Sequence, residues 1–160
     1  MTQIKDVATD RLRYTKNSIS AIFAYIAIAL NALYFISIYS TDVGSYFYNY
    51  EIGISVIYNL LFMLFVFLAS EGVKSYDYKF SLVLILIGAL QIVRIFGIPL
   101  NAYQTILQVG MKKVQVMEIG QFIWCIVLLS ISAGMAIAGG IIGLVKTKKL
   151  RSYEKSLGLH

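Results

Sequence analysis

The stretch SISAIFAYIAIALNALYFISIYS, Ser18 to Ser40, decides how this chain folds. It carries no charged side chain, and its 23 residues would reach about 34 Å as a helix, enough to cross a hydrocarbon layer about 30 Å thick. Three more stretches meet the same requirement: Ile52 to Ser70, Phe80 to Leu100 and Phe122 to Val145. The first is too long for the apolar core of a secretory signal and lacks a small-residue cleavage site, so it is expected to stay attached.

Hydrophobic residues make up 59% of the 160 and charged residues 14%, with a mean hydropathy of +0.75. An ordinary soluble domain is roughly a quarter charged. The four spans leave too little polar chain for a separate soluble domain, which predicts a single all-α membrane domain, an up-down bundle of four transmembrane helices. The net charge of +6 does not point to nucleic acid, because the basic residues are divided between the chain ends and short loops.

Those basic residues set the orientation, since Lys and Arg in short loops favour the cytoplasmic side. Lys5, Arg11, Arg13 and Lys16 lead the first span, and Lys74 and Lys79 lie in the loop 71–79. Lys146, Lys148, Lys149, Arg151 and Lys155 form a basic tail over 146–160. Against these eleven, the opposite side holds none in its first loop, 41–51, and only Lys112 and Lys113 in its second, 101–121. The reading is a multi-pass protein of the cell membrane with both termini cytoplasmic. Tyr39, Tyr46, Phe47, Tyr48 and Tyr50 around the first outer loop suit the headgroup region.

Outside the spans, Ile4, Val7, Ala8 and Leu12 recur at helical spacing, as an interfacial helix would require, although a frayed terminus fits as well. In the second outer loop, alternation from Ile106 to Gly110 and from Val114 to Glu118, around Gly110, Lys112 and Lys113, predicts a short extracellular β-hairpin between the third and fourth spans. A lone hairpin is marginal in water, so it must rest on helix ends or on a partner. The tail suits anionic headgroups.

Polar residues inside a span are expensive and therefore informative. With the orientation above, Asn31, Asn59, Gln91 and Arg94 fall in one layer of the outer half, on the order of 8–13 Å below the boundary. Gln91 and Arg94, three apart, share a helix face. Three ways of satisfying Arg94 are open. It snorkels outward, pairs with Asp42, Glu51 or Glu118 at the outer mouth, or bonds Asn31 and Asn59 across the bundle. The layer reads as a structural hydrogen-bond clasp, as a site for an anion or polar ligand with Arg94 as its charge, or as a lipid or partner contact.

In the fourth span Ser130, Gly134 and Ala138 recur every four residues, and Gly139 and Gly143 make a G-x-x-x-G on an adjacent strip. Small residues let helices approach closely, so this helix is expected to have a tight neighbour, either within the chain or in a second copy or partner. Cys125 reads as a small buried hydrophobe. The only histidine is His160, and no metal-ligand cluster, phosphate loop or nucleophile–base pair is present. Asp42, Glu51, Glu71, Asp77 and Glu118 all lie near span ends, away from the mid-membrane positions of a proton relay. The inventory predicts a protein that is not an enzyme and needs neither cofactor nor metal.

The segments Arg11–Asn17 (RLRYTKN), Tyr58–Met63 (YNLLFM), Ser70–Lys74 (SEGVK) and Gln91–Pro99 (QIVRIFGIP) resemble a group of small uncharacterised four-span proteins of anaerobic Gram-positive bacteria. Some of these are labelled as membrane components of monosaccharide ABC transporters. The resemblance implies an accessory subunit of a bacterial membrane complex linked to sugar uptake. It does not imply a complete permease, because the loop 71–79 is too short to couple to an ATPase. The alternative is a small homo-oligomeric channel or transporter for a polar or anionic solute, its path lined by the polar layer.

Overall fold

The computed structural model describes residues 11, 14–39, 50–109 and 112–157. Helix α1 runs Ser18–Tyr39, α2 Tyr50–Lys74 and α3 Tyr78–Val93. A 3-10 turn, Arg94–Phe96, leads to a short helix α4, Ile98–Gln104. Strands β1, Ile106–Val109, and β2, Lys112–Gln115, precede the long α5, Ile119–Ser156. Among the described residues, four segments are long and apolar enough to cross a membrane: Ser18–Tyr39, Gly53–Lys74, Tyr78–Gln104 and Ile119–Ser156. The interfacial helix expected over Ile4 to Leu12, the first outer loop with Asp42, and Gly110 lie outside the described residues.

The helices form an antiparallel four-helix bundle. The Asn17 amide at the start of α1 donates to Lys74 O at the end of α2 (3.1 Å). Ser132 Oγ of α5 donates to Ala27 O of α1 (2.8 Å), and Lys146 Nζ reaches Asn17 Oδ1 (3.0 Å). Against α3, α5 places Gly140 beside Ser81 and Ile85, while Gly88 meets Ala133 and Ile137. Helix α5 therefore lies between α1 and α3, and α2 closes the bundle across from it.

The bundle carries its large apolar side chains outward. Leu33, Ile36, Ile57, Leu60 and Leu86 are all more than half exposed, whereas the central contacts include Ala24, Ala27, Ala69 and Ala136 at 0–1% exposure. In lipid there is no hydrophobic drive between helices, and small residues inside allow the close backbone approach that packs them. In water the same exterior would be a single aggregating patch.

The third span differs from the continuous helix expected over Phe80–Leu100. Helix α3 stops at Val93, and the Gly97 amide bonds Arg94 O in a three-residue turn (3.0 Å). The chain restarts with Pro99 in the first turn of α4. Proline lacks an amide hydrogen and clashes with the carbonyl four residues back, so a straight helix cannot pass this point. The fourth span differs in the other direction, continuing through the basic tail as one helix to Ser156. Basic residues end an apolar run, but Lys and Arg are good helix formers and no Gly or Pro interrupts the run from Leu144 to Ser156.

Between α2 and α3 the chain turns in three residues. The Asp77 amide bonds Gly72 O (3.2 Å) and the Tyr76 amide bonds Val73 O (3.1 Å), a Schellman closure with Tyr76 at φ 58°. Asp77 then caps α3, accepting from the Lys79 amide at 3.0 Å. Strands β1 and β2 pair antiparallel, Ile106 with Gln115 and Val109 with Lys112. They rest on the bundle through Val116 and the fully buried Met117, which pack in the cluster that holds Tyr34, Ile38 and Ala102.

Candidate intramembrane polar site

Asn31, Asn59 and Gln91 are fully buried, and Arg94 is half-buried. The structure joins all four in one hydrogen-bonded chain with Asn31 at its centre. Asn31 Oδ1 accepts from Gln91 Nε2 (2.8 Å) and from Arg94 Nη1 (2.9 Å), and Asn31 Nδ2 donates to Asn59 Oδ1 at 3.3 Å. Asn59 Nδ2 closes the chain on Ser55 O (3.0 Å). The i, i+3 spacing of Gln91 and Arg94 aims both at the same oxygen, and the site ties α1, α2 and the end of α3 together.

Two tyrosines complete the setting of the guanidinium. Its carbon lies 4.5 Å from the centre of the Tyr34 ring and 5.1 Å from that of Tyr58, both within cation–π range. Tyr34, three residues after Asn31, shares its helix face, so this neighbour was readable from spacing. Tyr58 adjoins Asn59 in sequence and carries no such signal. The position of Arg94 at the C-terminal end of α3 adds a favourable interaction with the helix dipole.

Every described contact of the guanidinium is therefore with a neutral group. Nη2 is buried with no hydrogen-bond partner, as are Gln91 Oε1 and the Tyr34 hydroxyl. Of the expected carboxylate partners, Glu118 is exposed at the start of α5 and is not among the contacts of Arg94. Asp42 and the side chain of Glu51 lie outside the described residues.

Beside Arg94 a cleft of about 380 Å³ opens between α2 and the end of α3. Arg94, Tyr34 and Tyr58 line it on one side, with Ile54 and Ser55 on α2, Leu90 and Val93 on α3, and Ile98 and Asn101 on α4. The break at Arg94–Gly97 thus borders this cleft, with Arg94 and Gly97 both in its lining.

The two small-residue strips of α5 face different ways. A Cβ added at Gly139 would lie 3.0 Å from Ser20 O, at Gly140 2.8 Å from Ser81 O, and at Gly143 2.6 Å from Ser81 Oγ, so this strip packs inside the chain. Gly140 and Gly88 belong to that packing although spacing alone does not single them out. Ser130 and Gly134 are exposed, Ala138 is half-buried, and Gly134 has open space beside it. Cys125 is buried and free, and among the described residues no group of three His, Cys, Asp or Glu is placed to hold a metal. Comparison with protein-family models, curated proteins and solved structures gives no match.

Proposed function

We propose that this chain is a non-enzymatic, four-span membrane protein that holds an anionic group at Arg94 in the outer half of the bilayer. The observation that carries the reading is a guanidinium fixed by Asn31, Tyr34 and Tyr58, all neutral, on a residue that lines the cleft, with its Nη2 buried and unpartnered. A buried charge is costly unless it is paired, and a bound anion supplies the pairing. The eleven basic residues at the termini and in 71–79 orient the chain with both ends cytoplasmic, which puts the cleft and the β1–β2 pair toward the outer face.

On this reading the chain serves as an accessory subunit of a membrane complex, as the resemblance to proteins labelled as sugar-transporter components implies, and the anion site is what it contributes. A channel through the single chain is disfavoured, because Asn31, Asn59 and Gln91 are at 0% exposure and bonded to one another instead of lining a passage.

Purification in a neutral detergent followed by native mass spectrometry tests the reading. The wild-type chain should carry an anionic adduct that Arg94→Gln lacks, together with a protein partner retained by both. Identical small-molecule adducts on the two proteins would defeat the anion site.

A further inference from the structure

Resting on that anion site, we propose that its occupant is a single-chain anionic amphiphile, with its oxyanion head on Arg94 and its hydrocarbon tail leaving sideways between α2 and α3 into the bilayer. The lips of the cleft decide the direction of entry. Ile54, Leu90 and Val93 are 51%, 46% and 64% exposed and belong to the apolar exterior that faces lipid. A ligand passing them comes from the acyl-chain region. A bare inorganic anion would have to shed its water in hydrocarbon to take that route.

The walls select the same chemistry. Apart from Arg94, the tyrosines, Ser55 and Asn101, the lining is aliphatic or glycine, so a small anion would satisfy the guanidinium and leave most of the cleft without a partner. Its volume of about 380 Å³ corresponds to about a dozen water-sized groups. That accommodates a phosphate or carboxylate head with a short run of methylenes, the remaining tail lying along the lipid-facing seam. The head has a planar, pre-set partner, since the guanidinium is held by Asn31 at one nitrogen and lies within cation–π range of two rings.

The test is thermal unfolding of the full chain in a neutral maltoside detergent, with hexadecyl phosphate, hexadecanol or inorganic phosphate added at matched concentration. Hexadecyl phosphate should raise the midpoint of the wild type by several degrees, with hexadecanol and inorganic phosphate having little effect, and Arg94→Gln should abolish the shift. Val93→Trp, which narrows the mouth while keeping Arg94, should weaken the response at least tenfold in ligand concentration and serves if Arg94→Gln does not fold. If inorganic phosphate stabilises as well as hexadecyl phosphate, and does so only with Arg94 present, the amphiphile is wrong and the anion site stands. If hexadecanol matches hexadecyl phosphate, or if no ligand responds to the loss of Arg94, both fail.

Discussion

Arg94 Nη1 and Asn31 Oδ1 are 2.9 Å apart, and the same oxygen accepts Gln91 Nε2 at 2.8 Å, so a single acceptor on α1 holds two donors from the end of α3. Removing it with Asn31→Ala strands both donors, one of them charged, in a buried layer. A donor left unpaired costs about 1–3 kcal/mol, and membrane hydrogen bonds average nearer 0.6 kcal/mol, so the expected loss is about 2 kcal/mol. Asn59→Ala strands one neutral donor, Asn31 Nδ2, whose contact is the longer at 3.3 Å, and removes the bond to Ser55 O, so it should cost less, about 1 kcal/mol. Reversible unfolding by dodecyl sulfate in mixed micelles measures both, and equal losses would contradict Asn31 as the hub.

Tyr34 meets Arg94 through its ring, and its buried hydroxyl lies close to the guanidinium without completing a hydrogen bond. Tyr34→Phe keeps the ring and removes the unsatisfied oxygen, so stability should stay level or rise slightly. Tyr34→Leu removes the ring face and should cost about 2 kcal/mol, the size of a desolvated cation–π contact. A Phe variant as damaged as the Leu variant would mean that the hydroxyl, not the ring, matters.

On α5 the direction of each glycine sets the outcome. Gly140→Leu drives a side chain into Ser81 O and Ile85 and should prevent the bundle from forming, whereas Gly134→Leu meets open space and should fold normally. Circular dichroism and light scattering on the two variants check this. A change in oligomer mass for the folded Gly134→Leu protein would reflect contacts between chains, since that position makes none within the chain at its Cβ.

The spans were legible because a bilayer imposes a length and a composition that no other environment demands of 20 consecutive residues. The polar layer was legible for a related reason: an amide or a guanidinium in a span is rare, and depth along four helices follows from residue count alone. What hydropathy could not show was backbone direction. Ile95, Phe96 and Ile98 are as apolar as a continuous helix requires, yet Gly97 and Pro99 turn the chain there and make the cleft. Nor could spacing separate the inward strip Gly139–Gly143 from the outward Ser130–Gly134, because which face of α5 meets α1 and α3 is a property of the packed bundle.

Tyr76 occupies the left-handed C-terminal position of α2, where glycine is the usual residue. Holding a side chain at φ 58° costs about 1 kcal/mol, and the ring is only half-buried, so little packing offsets it. Tyr76→Gly should therefore stabilise the bundle by up to about 1 kcal/mol, and Asp77→Ala, which removes the cap of α3, should destabilise it by about 1 kcal/mol. The same unfolding assay reads both.

Asn31→Asp separates the clasp from the site it supports. The carboxylate keeps the shape of the amide and accepts from Arg94 and Gln91 as before, but it places a negative charge where every described contact of Arg94 is neutral. A carboxylate oxygen then faces Asn59 Oδ1, a clash of two acceptors that the Asn59 amide relieves by turning its Nδ2 toward it. The pair formed with Arg94 is charge-assisted through the existing Nη1–Oδ1 contact. The fold should survive, with stability within about 1 kcal/mol of wild type because desolvating a second charge offsets much of the attraction. Binding of an external anion should disappear, since its counter-charge is then built into the chain. Thermal unfolding with and without hexadecyl phosphate measures both quantities on one sample. Retention of the full ligand response by a folded Asn31→Asp protein would show that the anion is held elsewhere than at Arg94.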